Sequence, residues 1–181
     1  MSVDLIRFVI FAGVLIGLAL LATRVKAFQP YLRKNSVVAF LLGISSGFPL
    51  TLLAATLTFW LARVGLDTTT IGLSMMVGIP YTIKFLWAPL VDKWRLPFLT
   101  KSFGQRRGWL FLVQALLVIS VWQLGATDPL PGHLAPFFAW ALITAFLSAT
   151  QDIVIDAYRI EILEEDEFAH GTAANQFGYR T

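Results

Sequence analysis

Long apolar runs alternate with short polar or basic segments along this chain, and their spacing predicts helices that cross a bilayer. Residues 5–22 form the first run, followed by Arg24, Lys26, Arg33 and Lys34. Residues 36–61 form the second, about 39 Å long if fully helical. That exceeds the roughly 30 Å hydrocarbon core, so tilt or a kink is expected, with Pro49 the expected place. A polar turn at 65–69 leads into a third run, 70–91, broken by Gly78, Pro80 and Pro89. The loop 92–108 carries Lys93, Arg95, Lys101, Arg106 and Arg107. A fourth run, 109–124, has Trp109 and Trp122 near its ends, where aromatic belts lie. After a segment with Pro129, Pro131 and no Lys or Arg, a long helix is predicted over 134–163. Residues 164–167, all acidic, read as a solvated loop, and 171–181 open another small-residue segment.

The long helix has an uneven wheel. At about 100° per residue, Ala141, Ala145, Ser148, Ala149, Asp152, Asp156 and Arg159 fall on one face, within an arc of about 100°. Ile143, Phe146, Leu147, Ile153 and Val154 cover the other side. One face is thus small, then acidic, then basic, on a helix otherwise made for lipid.

Composition settles the solvent. The chain is 57% hydrophobic and 14% charged, with a mean hydropathy of +0.71, where globular domains are about a quarter charged. A polytopic helical membrane protein is expected. The net charge of +3 does not argue for nucleic acid, because the cations sit between apolar runs. Loops 24–35, 92–108 and 157–171 hold ten of the fourteen Lys and Arg. The positive-inside rule therefore puts them in the cytoplasm, and the acidic run weighs little in that rule. The absence of cysteine excludes disulfides and thiol chemistry. His133 and His170, both read as loop residues, make no metal set. Neither metal nor cofactor is expected.

Three readings stay open for residues 5–22. Their basic cluster follows the apolar part, unlike a secretory signal, so a retained helix with an outside N-terminus is favoured. A cleaved signal and an upstream mis-assigned start are the alternatives.

Lys84 is the anomaly of the third run, since a lysine at a helix centre costs about 2.5–3.5 kcal/mol on insertion scales. Such a residue faces a cavity or a partner, or snorkels to the nearer interface. Gly43, Ser46 and Gly47 make a small stripe suited to close helix approach or to lining a substrate path.

Four blocks, LLGISSGFPLTL (41–52), VGIPYTIKFLWAPLVDKW (77–94), FGQRRGWLFLVQ (103–114) and AFLSATQDIVIDAYR (145–159), resemble the muropeptide permeases of the AmpG type, within the major facilitator superfamily. The blocks have that family's order and spacing. Asp92, Arg106 and Arg107 fall at its cytoplasmic loop signature, although Ala88 stands where the superfamily has glycine. The same blocks recur less closely in acetyl-coenzyme A transporters. The resemblance implies an all-α bundle with residues 1–35 as an extra helix and basic linker. Residues 36–181 would then be four family helices and the start of a fifth. It further implies a fragment whose missing C-terminal helices lie in the same or another chain.

By the same resemblance, the activity is proton-driven import of anhydromuropeptides across the inner membrane. Gly43, Ser46, Gly47, Lys84, Ala149 and Gln151 are the expected lining residues, with Lys84 and Gln151 meeting a polar cargo. Asp152, Asp156 and Arg159 are the expected coupling or gating group. Two carboxylates one turn apart in a poorly hydrated face repel each other, an arrangement suited to a proton relay. The alternative is a salt-bridge cluster that only locks helices. An Asp-x-x-x-Asp magnesium site of a prenyltransferase would need a second acidic cluster, for which only Asp92 and residues 164–167 are candidates. A non-transporting membrane partner is the remaining reading. The expected partners are lipid, a muropeptide-like substrate and protons.

Overall fold

A computed structural model describes residues 25–130 and 132–180. The apolar run 5–22 lies outside the described residues. All regular structure among them is helical. A 3₁₀ turn, Lys26–Leu32, leads into α1, Lys34–Arg63. Three short helices, α2 (Thr68–Ser74), α3 (Ile79–Ile83) and α4 (Ala88–Lys93), follow one another through 3₁₀ turns at Met75–Gly78 and Lys84–Leu86. Helix α5, Pro97–Phe103, lies within the basic loop. It leads to α6 (Gln105–Ala126), α7 (Leu134–Ile162) and α8 (Phe168–Tyr179).

Helices α1, α6 and α7 are each long and apolar enough to cross a membrane. The protein is an all-helical, multi-pass membrane protein. The stretch α2–α4 is apolar but discontinuous, because Gly78, Pro80 and Pro89 weaken or remove its backbone bonds. It lies against α7 piece by piece. In α1 the irregularity sits just beyond Pro49, as a wide π turn at Leu52–Thr56. That displacement is reasonable, since the ring removes a donor and the next turns absorb the mismatch.

Helix ends follow local chemistry. Asp67 caps α2, its carboxylate accepting from Thr70 N at 3.0 Å and from Thr70 Oγ1 at 2.6 Å. These bonds hold the Asp67 carboxyl below its ordinary range. Gly104 begins α6 at a φ of 85°, a conformation that side chains with a Cβ rarely adopt.

Helix α7 is the axis of the bundle, in contact with α1, α6 and the broken stretch. Its N-terminal half supplies Phe137, Ala141 and Ala145 to a core shared with Leu53, Leu57, Leu61, Val77 and Leu124. Its last turns supply Ile153, Val154 and Ile155 to a second core with Val91 and Leu110. The polar turn 148–152 lies between these two apolar stretches.

Two expectations need correction. The acidic run is not simply a solvated loop. Glu167 is 7% exposed and accepts from Asn35 Nδ2 at 2.7 Å, while Arg33 Nη1 lies 2.6 Å from Asp166 and 3.6 Å from Glu167. The Arg33 guanidinium holds the Asp166 carboxyl below the usual carboxylate range. This clasp ties the start of α1 to the start of α8. His170 is likewise no loop residue, since it sits on α8 with its ring edge-on to Tyr31, centroids 5.2 Å apart. Acidic and histidine residues leave no pattern by which sequence could foresee such long-range partners.

Candidate functional site

The side chains of the polar turn on α7 radiate toward different neighbours. Ser148 accepts from the Tyr81 hydroxyl at 2.7 Å. Thr150 accepts from Trp87 Nε1 at 3.1 Å while donating to the Phe146 carbonyl at 2.8 Å. Gln151 Nε2 donates to the Ser45 carbonyl at 2.8 Å. Asp152 accepts from Ser46 Oγ at 2.5 Å and forms an ion pair with Lys84. A single turn of α7 is thereby bonded to α1 and to the broken stretch.

The ionic centre is Lys84, Asp152, Asp156 and Arg159. Lys84 pairs with Asp152 and lies 4.0 Å from Asp156 Oδ2, and Arg159 Nη2 is 3.2 Å from Asp156 Oδ1. The side chains of Asp152 and Lys84 are 13% and 31% exposed, and that of Asp156 is 48%. The more buried carboxylate, Asp152, is thus held by Lys84, and the more exposed one, Asp156, by Arg159. Lys84 starts the 3₁₀ turn Lys84–Leu86, where the break in the helix leaves its ammonium beside α7. Removing one partner of this part-buried pair leaves the other charge without its counter-ion.

The basic loop forms a second centre. Arg106 bridges Asp92 at 2.6 Å and Glu161 at 2.8 Å, and Gln105 donates to the Asp92 carbonyl. Arg107 Nε donates to the Tyr158 hydroxyl at 3.1 Å, with its guanidinium carbon 5.8 Å from that ring's centroid. The loop signature residues are thus brought together with the end of α7.

The small-residue stripe divides. Gly43 and Gly47 are buried against the backbone of α8, where an added methyl would overlap the carbonyls of Asn175 and Tyr179. Gly178 lies equally close to the Phe40 carbonyl on the opposite side of the same contact. These two glycines, expected to line a path, are closed off by a helix. Ala149 is fully buried. Gln151 is 1% exposed, its amide committed to Ser45. Ser46 alone of the stripe joins the ionic centre. Tyr81, Glu161 and Tyr158 escaped the sequence reading. Tyr81 carried a signal, being three residues before Lys84 and hence on its face of a helix.

Residues 37–128, half of the chain, match the sequence family described as "Acetyl-coenzyme A transporter 1". The chain belongs to this family. Its helices are those of the major facilitator superfamily, and the relatives whose names state a role are transport proteins. It is 40% identical over 146 residues to the anhydromuropeptide permease of Escherichia coli K12, covering 81% of this chain and 29% of that protein. It is 42% identical over 152 residues to an uncharacterized protein of Haemophilus influenzae, covering 84% of this chain and 34% of that one. An AmpG 1 transporter of Rickettsia bellii is 35% identical over 143 residues, with 79% and 35% covered. The chain spans about a third of the length of these curated relatives. No solved structure matches it significantly.

Proposed function

We propose that this chain supplies cargo-path and coupling helices to a permease that imports anhydromuropeptides, with protons, across the bacterial inner membrane. The observation that carries the reading is the Lys84–Asp152 pair inside a helical bundle, with Asp156 within 4.0 Å of the same ammonium. Ionisable side chains in membrane helices are rare and cluster at ion and proton pathways. Protonation of Asp152 removes the charge that holds Lys84. The ammonium is then free to turn to Asp156 or to a cargo carboxylate, and loss of the proton restores the pair. An anionic cargo and the ionised Asp152 would thus compete for one lysine, and a proton on Asp152 would decide for the cargo. The Arg106 bridge between Asp92 and Glu161 suits a lock at the cytoplasmic end. The anhydromuropeptide permease among the relatives supports the cargo.

A second cargo, acetyl-coenzyme A, is favoured by the description of the matched family. Uptake of each compound, in import-deficient cells making a transporter that contains these residues, separates the two. Acetyl-coenzyme A uptake without muropeptide uptake would reverse the ranking. For coupling, Asp152→Asn and Asp156→Asn are compared in gradient-driven accumulation and in gradient-free exchange. At least one is expected to lose accumulation and keep exchange. Normal accumulation by both would make the cluster a helix lock only.

A further inference from the structure

We infer that Gln151 is a positioning residue that replaces the backbone hydrogen bond lost at Pro49, and so sets Asp152 in register with α1. In an α-helix the carbonyl of residue 45 accepts from the N–H of residue 49. Pro49 has no N–H, so the Ser45 carbonyl is released in the middle of a membrane-crossing helix, where water does not replace the donor. Gln151 Nε2 donates to that carbonyl at 2.8 Å and lies 3.0 Å from Ser45 Oγ. Gln114 Nε2, from α6, approaches the same hydroxyl at 3.3 Å. Three membrane helices therefore meet at Ser45, the residue whose carbonyl the proline leaves unmet.

The geometry has a second half. The next residues on the two helices also pair, Ser46 Oγ with Asp152 Oδ1 at 2.5 Å. The pairs 45–151 and 46–152 run in step, so the amide that caps Ser45 also fixes the height and rotation of Asp152 against Ser46 and Lys84. Beyond the cap, α1 passes at once into the π turn Leu52–Thr56. Gln151 ties off the lower edge of a weakened stretch of α1, and Asp152 is held at that edge. The importance of Asp152 to transport rests on the reading above, whereas the cap does not.

The test is a double-substitution cycle on this chain in detergent micelles, with Gln151→Leu, Pro49→Ala and their combination. Alanine at 49 returns the backbone N–H to Ser45. Gln151→Leu is expected to lower the unfolding midpoint, and in the Pro49→Ala background to lower it by less than half as much. An equal loss in both backgrounds would overturn the cap. If Gln151→Leu alone yields no folded protein, recovery of a folded double variant supports the cap and its failure refutes it. Positioning is read separately, as the rate at which an apolar carbodiimide modifies Asp152, measured by peptide mass spectrometry. The rate is expected to rise at least severalfold in Gln151→Leu and to return in the double variant. An unchanged rate in folded Gln151→Leu would refute the positioning role. Neither readout involves transport, so a failed coupling experiment leaves the cap standing and a failed cap leaves the coupling reading to its own test.

Discussion

Gly43→Ala should destabilise this protein, whereas the same substitution at Gly72 should not. At Gly43 the added Cβ meets the Asn175 carbonyl, with the Asn175 carbonyl carbon and the Tyr179 amide nitrogen each 3.0 Å away. All three are backbone atoms, so no side chain can swing aside. Helices α1 and α8 must part by about 1 Å to restore ordinary carbon contacts. The parting also strains the bond from Asn175 Nδ2 to the Ala39 carbonyl, 2.9 Å long and buried. Overpacking of this kind costs about 1–3 kcal/mol, and the rigid obstacle puts Gly43→Ala at the upper end. About 3 kcal/mol is roughly a 150-fold change in the folding constant. Gly72 has nothing within 4 Å of the same built Cβ and lies in α2, so alanine there gains about 0.5–1 kcal/mol of helix propensity. Denaturant unfolding in mixed micelles, followed by circular dichroism, measures both variants. A neutral or stabilising Gly43→Ala would mean that α8 does not lie against α1 as described.

The remaining predictions concern charge and orientation. On a chain without native cysteine, Ser102→Cys should react with an impermeant thiol reagent only from the cytoplasmic side and Asp128→Cys only from outside; external labelling of position 102 would invert the topology. The Arg33–Asp166 clasp should be pH-dependent. Its carboxyl is held low in the folded state, so its contribution is complete above the ordinary aspartate range near pH 4 and is lost as pH falls through the lower folded value. The melting difference between the native chain and Asp166→Asn should therefore be present at pH 7 and shrink as pH falls below the ordinary aspartate range of about 4, and a difference that stays constant through acid titration would contradict the assignment. Arg106→Lys keeps the charge but not the fork that reaches Asp92 and Glu161. It should increase protease access to the loop 94–104, and unchanged cleavage would count against the bridge.

Hydropathy alone determined that the chain is helical and lives in a membrane. It also placed α1, α6 and α7 to within a few residues, because a bilayer asks only for length and apolarity. It located the weak points as well, since proline and glycine act within one turn: Pro49 near the π turn of α1, and Gly78, Pro80 and Pro89 in the broken stretch. The wheel of α7 marked the polar face, and Lys84 declared itself by being charged in an apolar run. The tertiary structure decided what each of these residues touches. Gly43, Ser46 and Gly47 form one stripe in sequence, yet the two glycines pack on α8 while Ser46 turns to Asp152. Gln151 and Asp152 are neighbours of similar polarity, but one closes a backbone gap that a proline opens 102 positions away in the chain and the other holds a lysine. Glu167 stands in an acidic run that looks solvated until Arg33 and Asn35 arrive from the start of α1. Periodicity reports which side of a helix is polar, since that depends only on 3.6 residues per turn. It is silent on which helix will lie against that side, because helix packing is set by contacts between residues far apart in the chain.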